Sequence, residues 1–171
     1  MKIKDVSLCG LFAALLAICA WISFPVFGVP VTLQTFGLHL ALLLLGGKRG
    51  CIVVFVYLAL GIMGLPVFSG FGGGIGTLLG PTGGYLWGFL AGGLLYWGIT
   101  AHWGIRVRLP AAVLAQFLCY ICGIFWFSYQ FAEESSLWSV FLTTIAPFLL
   151  PDGVKLGLAY FLSRRLRRHV F

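Results

Sequence analysis

The sequence predicts an all-α, polytopic membrane protein: a six-transmembrane-helix bundle with ordered outer loops, forming one domain over residues 1–171. Three observations predict it. Hydrophobic residues make up 61% of the chain and charged ones 9%, with a mean hydropathy of +1.06, whereas soluble chains average about 25% charged residues. The apolar residues come in repeated runs broken by Gly/Pro-rich or charged stretches, which implies several spans and not one anchored globule. The basic residues fall almost wholly at alternate breaks, the pattern by which loop charge orients membrane helices.

The first span, 6–24, follows Lys2 and Lys4 as a secretory leader would. No small-residue cleavage pattern ends it and further apolar runs follow, so it is read as helix one. Its Ala13, Ala14 and Ala17 form a small-residue patch that permits close approach, within the bundle or to another membrane subunit. Spans at 33–47 and 50–64 are joined by the short Gly46-Gly47-Lys48-Arg49-Gly50 turn, and spans at 83–102 and 110–130 flank Arg106 and Arg108. Pro147 and Pro151 argue against an unbroken helix from 137 to 168. The last span is therefore expected to begin at Asp152 and run about 17 residues to the Arg-rich tail, preceded by a short outer helix over 137–146. Several spans are shorter than the roughly 20 residues that cross a bilayer, so the membrane is expected to thin or the loops to dip into it.

With the N-terminus cytoplasmic, the inner segments hold Lys2, Lys4, Lys48, Arg49, Arg106, Arg108, Arg164, Arg165, Arg167 and Arg168, all the basic residues but one. Glu133 and Glu134 fall in the last outer connection. An even number of spans with both termini cytoplasmic, in the cell (inner or plasma) membrane, is the assignment this bias supports. It also accounts for the net charge of +7 without a nucleic-acid partner.

The two longer outer connections are apolar, aromatic and full of helix breakers. One runs from Phe24 to Thr35; the other runs from Gly64 to Tyr85, through Phe68, Ser69, Gly73 and Gly74. Such backbone cannot face lipid with its amides unsatisfied, so these segments either cap the bundle as tight turns or line a cavity. Glycine lets backbone N–H groups approach a ligand, and Phe and Tyr offer faces to a flat ring. Gln34 and Thr35 are placed to hydrogen-bond a urea-like group or to form the first helical turn behind a Thr32 cap.

Ionisable residues inside spans are costly and are read as functional. Asp152 and Lys155, one turn apart, are expected to pair at the outer end of the bundle, where the lysine and a helix N-terminus would meet an incoming carboxylate. The alternative is an Asp N-cap beside a lysine reaching for the headgroups. His39 is read as the satisfied partner of a neighbouring helix. Cys9, Cys19, Cys51, Cys119 and Cys122 lie within apolar runs and are expected as free thiols, and the Cys119/Cys122 pair lacks the second pair that a metal site needs. No P-loop, nucleophile–base set or metal-ligand cluster is present, so an enzyme with a resident cofactor is not expected.

Three stretches occur together and in order: Val29-Pro30-Val31-Thr32-Leu33-Gln34-Thr35, Gly64-Leu65-Pro66-Val67-Phe68-Ser69-Gly70 and Gly80-Pro81-Thr82-Gly83-Gly84-Tyr85. In these the chain resembles the BioY family, the biotin-specific substrate-binding (S) components of energy-coupling-factor transporters. The resemblance implies six helices with biotin held near the outer face under the first outer loop. It implies that Asp152 and Lys155 engage biotin's carboxylate end, and that Ala13 and Ala17 dock on a coupling transmembrane subunit, with two ATP-binding subunits completing the complex in the lipid bilayer. The family usually reads Pro-Gly-Asp before the last helix, whereas here Pro151 directly precedes Asp152 and Gly153 follows. The expected binding set is Asp152, Lys155, Gln34, Thr35, Phe68, Ser69, Gly73, Gly74 and Tyr85. A component for another vitamin, such as riboflavin, and a non-transport packing subunit are the competing readings.

Overall fold

The computed structural model describes residues 3–26, 29–131, 140–142 and 145–170. Glu133 and Glu134, the charges expected in the last outer connection, lie outside them, as do Lys2 and half of the expected 137–146 helix.

Helix α1 spans Ile3–Trp21, with Asp5 in its first turn, where the helix dipole favours an anion. Its end is fixed by Trp21, whose Nε1–H donates to the Pro66 carbonyl at 2.7 Å and whose ring stacks on Phe71. The chain then forms a hairpin, β1 (Ser23–Val26) and β2 (Val29–Thr32), where the sequence suggests only an irregular loop. Pro25 and Pro30 face each other across it; a two-stranded ribbon is all edge, so two residues without an N–H are tolerated.

Helix α2 (Gln34–Leu45) starts at an N-cap Leu33 without a side-chain cap, not at the expected Thr32 cap; the Thr32 hydroxyl instead accepts the N–H of Gln34, the first helical residue, at 3.2 Å. Gly46, at φ 88°, breaks it from α3 (Gly47–Ile62). The segment that follows folds back on itself through a 3-10 turn at Ser69–Phe71 and a short helix α4 (Ile75–Leu79). Helices α5 (Gly83–Trp103) and α6 (Arg108–Phe131) form the closest pair in the bundle. Gly84, Gly88 and Gly92 lie along their contact, and a β-carbon on Gly88 would stand 2.9 Å from the Cys119 backbone. Small residues at every fourth position are what let two helices come this near in a lipid phase.

Helix α7 runs from Ala146 to Val170 and carries Pro151 inside it. This corrects the expected start at Asp152. The Leu149 N–H reaches the Ile145 carbonyl at 3.2 Å, so the helix is already wound before Pro151. Pro147 occupies the first turn, where an N–H has no helical partner in any case, and Pro151 removes one bond, the one its N–H would make to Pro147.

Buried side chains of α1, α2, α3, α5, α6 and α7 merge into one apolar core. The outside is equally apolar: Phe55, Leu114, Phe117, Phe125, Leu158 and Phe161 are all more than half exposed, a belt that calls for lipid as its solvent. Ile3–Trp21 and Ile105–Gln130 are each long and apolar enough to cross a membrane unaided.

Candidate functional site

Four stretches of chain converge on one cavity: the Thr32–Thr35 junction of β2 and α2, the run from Phe68 into the first turns of α5, the inner side of α6, and the inner side of α7. Phe68, Phe89, Phe148, Leu86 and Tyr85 form its walls. The space between atoms, counting the mouth, is about 630 Å³, and the aromatic walls offer their faces to a flat ring. The polar lining of the cavity divides into half-buried hydroxyl residues, Ser69, Thr77 and Thr82, and buried residues, Gln34, Gln116, Asp152 and Lys155.

Asp152 organises the buried group. It is 4% exposed. Its Oδ1 accepts from the Thr35 hydroxyl at 2.9 Å and from Lys155 Nζ at 2.8 Å. Its Oδ2 accepts from the Tyr120 hydroxyl at 2.7 Å and from Gln116 Nε2 at 3.3 Å. A carboxylate has about four lone-pair sites, so the protein fills them all. Asp152 is therefore not a helix N-cap: its bonds come from side chains of α2, α6 and its own helix α7, because α7 has already begun upstream. Lys155, likewise, sits well inside the helix, away from the positive end of the dipole that the sequence assigned to it.

Lys155 gives a second N–H to the Thr32 carbonyl at 2.7 Å, which ties the hairpin to α7 and leaves one of its three donors for a ligand. Gln34 is turned by Tyr57: its Nε2 lies 2.6 Å from the Tyr57 hydroxyl, which donates in turn to the Val67 carbonyl at 3.0 Å. Its amide oxygen is then the atom left to accept from a ligand. Behind the wall, His39 Nε2 lies 2.8 Å from Gln116 Oε1, the interhelical partnership anticipated from sequence.

Of the residues singled out from sequence, Asp152, Lys155, Gln34, Thr35, Phe68, Ser69 and Tyr85 line the cavity together. Gly73 and Gly74 do not, and their roles are structural. A β-carbon on Gly73 would lie 2.5 Å from the Leu65 carbonyl oxygen, and Gly74, at φ 82°, donates its N–H to the Gly61 carbonyl at 2.7 Å. Ala13 and Ala17 are 2% and 6% exposed and belong to the buried core, while Gly10, Ala14 and Ile18 are exposed on α1. Sequence reasoning missed Gln116, Tyr120, Phe89 and Phe148. The first two were open to detection: an amide and a phenol four residues apart in an apolar span share one helix face.

The sequence pattern of the BioY family matches residues 1–171. A probable biotin transporter BioY from Pyrococcus horikoshii is 38% identical over 167 residues, covering 98% of both chains. The biotin transporter BioY of Thermotoga maritima is 38% identical over 161 residues, 93% of each chain. Among solved structures, the S-component for biotin from an ECF-type ABC transporter superposes with a TM-score of 0.88 at 29% identity, over 98% of this chain and 92% of that one. With the family's pattern running from the first residue to the last, and relatives matched over nearly their full length, the chain belongs to the BioY family.

Proposed function

We propose that the chain captures biotin at the outer face of the cell membrane as the substrate-binding component of an energy-coupling-factor transporter. Its partners are a coupling transmembrane subunit and two ATP-binding subunits, which supply the ATP hydrolysis. In this reading α1, α2, α3, α5, α6 and α7 are six spans and both termini are cytoplasmic. The gathering of Lys48, Arg49 and Arg108 with Asp5, and of Arg106, Arg164 and Arg167, around the ends of helices remote from the slot supports that orientation.

The observation that carries the reading is the buried Asp152/Lys155 pair closing an aromatic slot lined by Gln34, Thr35, Tyr85 and Phe68. Charge decides which end of biotin faces the pair. Asp152 already neutralises Lys155, so a ligand carboxylate there would leave a net buried negative charge, which is expensive. A cyclic urea brings none. Its carbonyl can accept the third Lys155 N–H, and its N–H groups can donate to Gln34 Oε1 and to the hydroxyl oxygens of Thr35 and Tyr120. The valerate carboxylate then points to the half-buried hydroxyls of Ser69, Thr77 and Thr82. The carboxylate contact drawn from the resemblance gives way to a urea contact.

Calorimetric titration of the purified protein tests this. Biotin is expected to bind and riboflavin not to compete. Biotin methyl ester should bind within about threefold of biotin, while the imino analogue of the urea, and biotin on the Lys155→Ala variant, should each lose about tenfold to a hundredfold. Absence of biotin binding removes the proposed function. A strong loss confined to the ester would put the carboxylate back on Lys155.

A further inference from the structure

His39 stands one layer behind the slot, 1% exposed and absent from its walls. It connects to the site through one residue. Gln116 spans the gap, with Oε1 2.8 Å from His39 Nε2 and Nε2 3.3 Å from Asp152 Oδ2. A carboxylate oxygen accepts only, so the amide nitrogen must face Asp152 and the amide oxygen must face His39. That oxygen also accepts only. His39 Nε2 therefore carries the proton, and Nδ1, which has no hydrogen-bond partner among the described residues, is the bare nitrogen of the ring.

We propose that His39 is a positioning residue that sets the polarity of the binding site through the Gln116 amide. The inference deepens the biotin reading and rests on it for its affinity arm. A Gln amide can turn by half a rotation at almost no steric cost, because its oxygen and nitrogen are nearly the same size. Turned that way here, it would set oxygen against the Asp152 carboxylate. The N–H donor on the far side opposes that turn, since the amide nitrogen would then meet the His39 N–H unless the ring proton moved to the unpartnered Nδ1. Asp152 holds Thr35, Tyr120 and Lys155 through the same carboxylate. Freeing Gln116 therefore disturbs the buried polar groups gathered on Asp152, although His39 touches none of them.

Two measurements on the full chain in detergent decide it. With 15N-labelled histidine, the His39 ring, identified by the signal lost in His39→Gln, is expected in the Nε2–H tautomer at neutral pH; the Nδ1–H tautomer overturns the proposal without reference to any ligand. For biotin affinity, His39→Leu is expected to lose about tenfold, and His39→Gln to stay within about threefold because its amide nitrogen reaches the place of Nε2. Placed in a Gln116→Leu background, His39→Leu is expected to cause no further loss; a loss that adds in full to that of Gln116→Leu marks His39 as merely structural and overturns the proposal. If wild-type protein fails to bind biotin, the function proposed above falls while the tautomer still decides this inference. If His39→Leu fails to fold, His39→Gln and the tautomer carry the decision.

Discussion

At the scale of single residues, the asymmetry of the buried pair has a measurable result. Removing Asp152 strands the Lys155 ammonium with the Thr32 carbonyl alone and orphans the Thr35 and Tyr120 hydroxyls. Removing Lys155 leaves a carboxylate that keeps three donors. Asp152→Ala and Lys155→Ala each break the buried ion pair and are each expected to destabilise the protein by about 3–5 kcal/mol, Asp152→Ala the more because it also orphans two hydroxyls, read as thermal unfolding midpoints in one detergent; a neutral effect of either would contradict the network. Asp152 and Lys155 were legible in the sequence because ionised groups inside an apolar run are conspicuous. The donors that surround the carboxylate were not, since Gln116 and Tyr120 acquire meaning only when α6 is turned toward α7.

At the scale of elements, the glycines of α5 differ sharply in what surrounds them. A β-carbon at Gly92 would lie 2.6 Å from the Ala115 carbonyl oxygen, and one at Gly88 would press on the Cys119 backbone, whereas at Gly98 it would meet nothing within 4 Å. Gly88→Ala and Gly92→Ala are expected to lower stability by about 1–3 kcal/mol each, and Gly98→Ala to be neutral or to add about 0.5–1 kcal/mol. Thermal unfolding of the three variants checks this, and equal effects would mean that α5 and α6 are not in close contact. Since Cys119 also lines the slot, Gly88→Ala should weaken ligand binding as well. The helices fall within a few residues of the apolar runs because hydropathy marks them directly. The start of α7 precedes the expected Asp152 because neither proline stops the helix: one lies in the first turn and the other removes a single backbone bond. The hairpin was missed because its prolines argue against a strand in a sheet interior but not in an isolated ribbon.

At the scale of the whole molecule, the protein has two unlike ends. One carries the slot under the hairpin and the Phe68–Thr82 segment; the other gathers arginine and lysine, with Arg49 paired to Asp5 at 2.9 Å. If the basic end is cytoplasmic, a cysteine introduced at Arg106 should react with a membrane-impermeant maleimide only in inverted vesicles, and one at Thr77 only in right-side-out vesicles, each in a background lacking the five native cysteines. Reaction of Arg106→Cys from outside would reverse the orientation. Composition made the membrane setting plain, and the alternation of charge suggested the two ends. The cavity itself was not visible, because it depends on how four separate segments close over one another.

Helices α2 and α7 are joined at both ends. The Arg167 guanidinium donates to the Leu43 and Leu44 carbonyls at 2.6 and 3.2 Å, where α2 finishes, while Thr35 at the start of α2 bonds Asp152 near the start of α7. Two parallel rods bolted together top and bottom cannot slide past one another.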